Sequence, residues 1–200
     1  MKKWIILLVG LCSFTALAGC SLIDKIIGER ANGIIVYGNE EAIKAEVSPV
    51  KNDLKSFHLY ETKITESNAE KIMIMDKTTA DALFAKGLFR EIKDEKSTPI
   101  HSLPTVTKEQ SVLFAKDEIS NPEIEGKSYA TKYEGNIVIG SSRHHVDSFM
   151  IMDHEVYQSI KGENTTLGVL LFKKASKPET SMTSFKELSP QLITIIENKE

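Results

Sequence analysis

The chain has 200 residues, of which 41% are hydrophobic, and its formal net charge at pH 7 is −3. The apolar fraction is ordinary for a globular protein. The mildly acidic charge argues against nucleic acid as a partner, because nucleic-acid binding requires basic patches.

The N-terminal segment has the features of a secretory signal. Two lysines precede an apolar run over residues 4–18, which is shorter than the roughly 20 residues of a permanent transmembrane helix. The run ends in Leu17-Ala18-Gly19-Cys20. We therefore predict a signal peptide over residues 1–19 and a mature chain that begins at Cys20.

This segment resembles the precursors of bacterial lipoproteins, because residues 17–20 match the lipobox of that class at every position. The resemblance implies that the sulfur of Cys20 receives a diacylglycerol and that membrane lipid holds the protein on the extracytoplasmic face of the cell membrane. Two acyl chains give stable anchoring, whereas one chain binds only reversibly. An ordinary cleaved signal, with Cys20 present by chance, is the alternative interpretation.

The lipoprotein interpretation has consequences for the mature chain. Cys12 leaves with the signal and Cys20 carries the lipid, so the folded part has no thiol for a disulfide, a zinc site or a nucleophile. Loss of Lys2 and Lys3 shifts the formal charge from −3 to −5, which argues against the domain lying flat on anionic lipid. Residues 20–30 form a short lipid-anchored tether, so we expect the domain to lie close to the bilayer.

From residue 31 onward, short apolar runs alternate with polar turns. The first runs predict a glycine-flanked strand over 33–38, a helix over 39–47 that Asn39 caps, and a strand over 54–60. The charged stretch 93–104, which contains two prolines, is predicted to be a loop.

Two similar segments, Ile72–Asp76 and Phe149–Asp153, lie 77 residues apart. Each predicts a strand buried on both faces, followed by an aspartate that caps a helix. The helices are predicted over 77–86 and 154–161, with Gly87 and Gly162 as C-caps. Since other strands flank each unit in the same order, the domain is predicted to contain two similar halves that meet near residues 105–120. Duplication and convergence of short strands both account for this pattern.

The second half gives the remaining predicted elements. They are strands over 111–116, 135–140 and 168–173, a hairpin over 127–140 that turns at Glu134-Gly135, a loop over 176–183, and a last helix that Ser189-Pro190 opens and that buries Leu192, Ile195 and Ile196. Mixed strands and short helices indicate a single α+β domain over residues 31–200, with a mixed sheet.

The densest polar cluster lies between two predicted strands. Its candidates for binding a metal or another ligand are His144, His145, Asp147 and the nearby His154. A serine nucleophile, Ser141 or Ser142, with a histidine base would instead indicate a hydrolase. The competing interpretation is a polar loop, because adjacent histidines on an extended segment point to opposite sides.

Recognised catalytic motifs are missing from the sequence. Residues 154–158 begin like the HExxH zinc motif, but Gln158 stands where the second histidine is required. Glycine-rich phosphate loops and the G-x-S-x-G elbow are also missing. We therefore expect a protein that is not an enzyme and that carries no cofactor.

Two further resemblances bear on function. Residues 149–157, with the strand over 169–172, resemble the extracytoplasmic domains of FtsX/MacB-type ABC permeases, and the whole chain is similar to small uncharacterised lipoproteins of Gram-positive bacteria. The second resemblance implies no activity. The lipid anchor, the short tether and the missing catalytic motifs favour a non-enzymatic module that binds another envelope protein, such as an ABC-type permease. The alternative is a lipoprotein that binds a solute or a metal and delivers it to a transporter.

The lipid anchor gives the first testable prediction. Replacing Cys20→Ala should abolish labelling by radioactive palmitate and leave the precursor uncut, because the acceptor sulfur is gone. Cys12→Ala is the matched control and should be labelled and processed normally. A Cys20→Ala protein that still partitions into detergent as a processed lipoprotein would contradict the predicted localisation.

Overall fold

A computed structural model of the chain describes residues 30–185 and 187–196. The predicted signal peptide, Cys20 and the tether up to residue 29 lie outside these ranges. Within the described residues, no helix has the length and apolar character needed to cross a membrane.

The strands alternate with short helices along the chain. The strands are β1 (Gly33–Gly38), β2 (Leu54–Ser67), β3 (Glu70–Asp76), β4 (Phe89–Lys93), β5 (Lys96–Pro99), β6 (Ser111–Ala115), β7 (Glu123–Ile124), β8 (Lys127–Ser128), β9 (Thr131–Tyr133), β10 (Ile137–Ile139), β11 (Ser148–Met152), β12 (Glu163–Phe172) and β13 (Gln191–Ile193). The α-helices are α1 (Glu40–Val47), α2 (Lys77–Ala85), α3 (His154–Ser159) and α4 (Lys177–Ser181), and Ser48–Asp53 and Met182–Ser184 form 3-10 helices.

The main sheet has eight strands in the order β13-β1-β12-β2-β3-β11-β6-β9. The β3–β11 and β6–β9 pairs are parallel, and the other neighbours are antiparallel. Strands β10, β4 and β5 form a second, three-stranded sheet, and β7 pairs with β8. This architecture confirms the predicted α+β class with a mixed sheet and short helices.

The two similar sequence segments are neighbours in space. They form β3 and β11, which pair in parallel with Met73 opposite Phe149 and Ile74 opposite Met150. Both strands are buried on both faces, which explains why neither alternates with polar residues. The strands of the two predicted halves are nevertheless interleaved, since β12 lies between β1 and β2. The described residues from Ala31 onward belong to one compact unit.

The core occupies both faces of the main sheet. Along β3, Met73 and Met75 point to the face covered by α2 and the second sheet, which we call the α2 face. Ile72 and Ile74 point to the opposite face, where α3 packs. A further cluster packs α1 against β1 and β12 on that opposite face, which we call the α1/α3 face.

The predicted aspartate caps are present, and one of them has a second role. Asp153 Oδ1 accepts the N–H of Glu155 at 3.0 Å, and Asp76 Oδ1 accepts the N–H of Thr79 at 2.8 Å. Asp76 Oδ2 also lies 2.8 Å from Nδ1 of His154, the first residue of α3. A carboxylate only accepts, so Nδ1 of His154 carries the hydrogen of this bond. Asp76 therefore ties together the starts of α2 and α3.

The environment of Asp76 favours its charged form. Burial by itself would raise the pKa of this carboxyl, but hydrogen bonds from Thr79 and His154 outweigh burial and hold the pKa below its ordinary value.

The end of the chain differs from the prediction. The expected last helix after Pro190 is instead strand β13, whose residues 191–193 pair with β1. Ile193 and Ile195 are buried while Ile196 is exposed. This alternation is typical of a strand, not of a helix. The predicted hairpin over 127–140 is also wrong, because β9 joins the main sheet and β10 joins the second sheet.

Three smaller predictions were also wrong. The loop predicted over 93–104 contains strand β5 and the turn that joins it to β4, at Asp94 and Glu95 with φ values of 49° and 61°. The loop predicted over 176–183 contains α4. Gly162 does not cap α3, which ends at Ser159. Gly162 instead lies so close to β2 that a Cβ there would be 2.9 Å from the carbonyl oxygen of Ile64.

The double role of Asp76 generates a stability prediction. Asp76→Ala should lower the free energy of unfolding by about 1–2 kcal/mol, more than Asp153→Ala, because it removes a helix cap and the bond to His154. Asp76→Asn should keep most of the cap, since asparagine is also a good N-cap. Urea denaturation monitored by circular dichroism measures all three values.

The pH dependence separates the charge of Asp76 from the cap. Because folding lowers the pKa of this carboxyl, its contribution is complete above the unfolded-state pKa and is lost as the pH falls through the folded-state pKa. Asp76→Asn should lack this part of the acid destabilisation. An unchanged acid profile in Asp76→Asn would show that the charge of Asp76 does not stabilise the fold.

Candidate functional site

The main sheet has a gap where β1 stops and β12 continues. β1 ends at Gly38, opposite Thr166, whereas β12 extends back to Glu163, opposite Ile64 of β2. Over residues 163–165, β12 therefore pairs on one side only among the described strands. We call this gap the notch and define it by Gly38, Asn39 and residues 163–165.

Local chemistry explains why β1 stops there. Asn39 caps α1, and its Oδ1 accepts the N–H of Glu41 at 2.8 Å. The chain therefore leaves the sheet directly after Gly38. A Cβ on Gly38 would lie 2.7 Å from Cδ2 of Leu188, so the close approach of that side chain also favours glycine at this point.

Two clefts open into the notch from opposite faces of the sheet. The first cleft, of about 420 Å³, lies on the α1/α3 face and includes Lys63 and Tyr157. The second cleft, of about 670 Å³, lies on the α2 face and includes Ile64 and His145. Lys63 and Ile64 are consecutive on β2, so their side chains point to opposite faces. Both clefts share Asn39, Asn164 and Thr165.

Lys63, in the first cleft, binds the end of α3. Its ammonium donates to the carbonyl oxygens of Tyr157 at 3.0 Å and Ile160 at 2.6 Å, and it lies 4.7 Å from the centre of the Tyr157 ring. These carbonyls lie at the end of α3, where the negative end of the helix dipole favours a cation, and the Tyr157 carbonyl also accepts the N–H of Ile160 at 3.2 Å. Lys63 is thus used to position α3.

Tyr157 is a neutral hydroxyl at neutral pH. Burial, together with the negative charges of Asp76 and Glu61, raises the pKa of Tyr157 to about 12. The side chains that the first cleft exposes to a ligand are polar ones, Asn39, Glu61, Gln158 and Asn164.

The second cleft is bordered by the loop over residues 140–147, which is fastened at several points. Gln191 Oε1 accepts the N–H of Ser141 at 3.2 Å, and Arg143 donates to Asn136 Oδ1 at 2.6 Å and to the carbonyl of Ile137 at 2.7 Å. Asp147 Oδ2 accepts the N–H of Lys71 at 2.8 Å. These bonds hold the loop against β3 and β13 and present its histidines to the cleft.

His145 stacks on Tyr37, with ring centroids 4.7 Å apart and an interplanar angle of 14°. Burial, with a smaller effect from the charge of Lys71, lowers the pKa of His145, so the ring is neutral at neutral pH. Burial likewise raises the pKa of Tyr37. The Tyr37 hydroxyl and His145 Nε2 are both buried, and neither has a hydrogen-bond partner among the described residues.

The structure brings together two of the four predicted ligand residues. His144 and His145 line the second cleft, whereas Asp147 is bonded to the backbone of Lys71 and His154 is bonded to Asp76. In the described ranges, no three His, Cys, Asp or Glu side chains are grouped to hold a metal ion. The predicted four-residue ligand set is therefore not assembled, because two members are engaged in structural bonds.

The alternative serine site is not assembled either, since the Ser141 hydroxyl donates to Oε1 of Gln191 at 3.3 Å. The Ser142 hydroxyl is buried and makes no hydrogen bond to a histidine in the described part of the chain. Its carbonyl oxygen accepts a long bond, 3.4 Å, from Nε2 of Gln191, which makes Ser142 part of the loop attachment.

The strand bounds predicted from the sequence did not indicate the notch. The strand predicted to start at residue 168 begins at Glu163, and β2 continues past its predicted end at Tyr60 to Ser67. The β-branched pair Thr165-Thr166 was a local signal for the longer β12. The unpaired edge had no such signal, since it depends on where a distant strand stops.

The architecture is similar to that of a solved protein structure. A crystal structure of a Bacillus anthracis protein described as a lipoprotein matches with a TM-score of 0.76 and 29% sequence identity, over 83% of this chain and 100% of that one. No curated protein sequence matches. These comparisons give no support to the resemblance to FtsX/MacB-type permease domains.

The family comparison covers nearly the whole described domain. The model of a family described as uncharacterised lipoproteins matches residues 31–195. This match and the Bacillus structure confirm the predicted similarity to lipoproteins of Gram-positive bacteria. The chain belongs to this lipoprotein family.

Proposed function

We propose that this lipoprotein is a non-enzymatic interaction module that binds an extended, polar segment of another envelope protein at the notch. The observation that carries the proposal is the pair of clefts that meet at one unpaired stretch of strand edge. An ABC-type permease is one candidate partner of this kind.

The geometry suits the addition of a strand. An extended segment placed beyond Gly38 would lie beside residues 163–165 of β12, where β1 leaves the edge open. Successive side chains of such a segment point alternately to the two faces of the sheet. They would therefore enter the two clefts in turn, which is how strand addition combines backbone hydrogen bonding with side-chain pockets.

The charges at the notch favour a polar partner. The second cleft exposes Glu66, Lys71, His144 and Glu163, and the first exposes Glu61. Groups of both signs, together with exposed amides, can pair with polar side chains of either charge. Rims of this composition are typical of protein–protein interfaces outside their buried cores.

A polar solute in the second cleft is the second candidate. Its volume of about 670 Å³ lies in the usual range of small-molecule sites, and the buried Tyr37 hydroxyl and His145 Nε2 beside it are unpartnered within the described residues. Small-molecule sites are, however, mostly lined by apolar and aromatic groups. A solute would also use only one of the two clefts.

Site-specific photo-crosslinking in intact cells tests the proposal. A photoreactive amino acid is placed at Gln158 in the first cleft, at Glu66 in the second cleft, or at the exposed Lys96 of the β4–β5 hairpin as control. We expect both notch positions, and not position 96, to give the same crosslinked membrane protein, identified by mass spectrometry.

A steric variant makes the crosslinking result specific. Asn164→Trp fills the notch from an exposed position and should remove the crosslinked product, whereas Lys96→Trp should leave it. Identical products from positions 158, 66 and 96 would contradict binding at the notch. If no product forms and a polar solute raises the melting temperature of the purified protein, the second candidate is favoured, since a specific ligand stabilises by mass action.

A further inference from the structure

The end of the main sheet away from the notch is where the described chain enters the domain. We call it the entry end and define it by Asn32, the last residues of β12, and Ile195 and Ile196. The carbonyl oxygen of Asn32 accepts the N–H of Phe172 at 3.0 Å, and its side-chain amide donates to the carbonyl of Ile195 at 2.9 Å. Asn32 and Ile195, which lie near the two ends of the described chain, therefore meet there.

Lysines are concentrated at the entry end. Lys86 lines the cleft beside Ile196, Lys173 and Lys177 are bonded to Asn52 and Asp53, and Lys51 and Lys174 are sequence neighbours of Asn52 and Lys173. The Lys173 ammonium donates to the carbonyl of Asn52 at 2.9 Å, and Lys177 lies 3.1 Å from Asp53. The notch, in contrast, is lined by the exposed Glu61, Glu66 and Glu163 and by the exposed Lys71. The acidic net charge of the mature chain is thus unevenly distributed.

An exposed apolar group lies among these lysines. Ile196 is 45% exposed and is the single large apolar side chain that is exposed in the described ranges. Its N–H donates to the carbonyl of Lys86 at 3.0 Å, and its Cδ1 lies where a Cβ on Gly87 would be only 2.5 Å away, so its position is fixed. Beside it is a cleft of about 310 Å³ that includes Val169, Leu171 and Ile195.

We infer that the entry end is a membrane-docking surface, at which Ile196 enters the headgroup boundary of an anionic bilayer and the surrounding lysines bind lipid phosphates. The inference rests on the predicted anchor at Cys20, from which residues 21–32 reach at most about 43 Å when fully extended. Each lysine close to an anionic leaflet strengthens attachment roughly fivefold. Lysine stems also cover apolar surface while their ammonium groups stay hydrated.

A depth-sensitive fluorophore tests this inference on the anchored protein. The folded part has no native thiol, so Ile196→Cys and the control Glu66→Cys can each be labelled at one site with an environment-sensitive dye. Glu66 lies ten residues along β2 from Ser56, which lines the entry-end cleft, or about 33 Å at 3.3 Å per residue. The lipidated proteins are reconstituted in vesicles containing one third phosphatidylglycerol and nitroxide-labelled lipid.

Membrane docking predicts a blue shift and strong quenching of the dye at position 196, and neither at position 66. Replacing Lys86, Lys173 and Lys174 by glutamate should remove the quenching. If that triple variant is poorly folded, 0.5 M salt should weaken the quenching in the unmodified domain, since salt screens exposed charges. Equal quenching at both positions, no quenching at either, or equal quenching in vesicles of phosphatidylcholine alone would overturn the inference.

Discussion

The pairing of β12 between β1 and β2 is the constraint on which the rest of the structure depends. β12 has ten residues, and from Leu167 onward all of them are buried. It pairs along its whole length with β2 but with β1 only as far as Thr166. This difference in length creates the notch at one end, and the bonds of Asn32 to Phe172 and Ile195 join the first and last parts of the described chain at the other.

Elements with local causes were predictable from the sequence. The strand–aspartate–helix units at Asp76 and Asp153 could be read because strand length, cap and helix lie within about fifteen residues of each other. Asn39 and the helix it caps were predictable for the same reason. The sequence gives no signal of the contact between the two units, in which the carboxylate of Asp76 binds His154, the first helical residue of the second unit.

Elements with distant causes were not predictable in the same way. Residues 191–193 form a strand because β1 offers them an edge more than 150 positions earlier in the chain. Asp94 and Glu95 form a tight turn without the glycine that usually marks one. The polar cluster around His144 was predicted as a segment between two strands, and the cleft that His144 and His145 line there had no signal in the sequence. Its Asp147 turned out to hold the loop, because a carboxylate beside a strand end readily accepts a backbone N–H.

The position of β1 also determines how mechanical force would pass through the molecule. β1 is bonded on both edges, to β12 over all six of its residues and to β13 over Gly33–Ile35. Antiparallel hydrogen bonds lie across the strand axis, so a pull along that axis shears them together instead of opening them one by one. Tension between the N-terminal side of the chain and a molecule bound beside residues 163–165 of β12 would shear the hydrogen bonds between β1 and β12. A strand that is bonded on both edges would therefore bear the load.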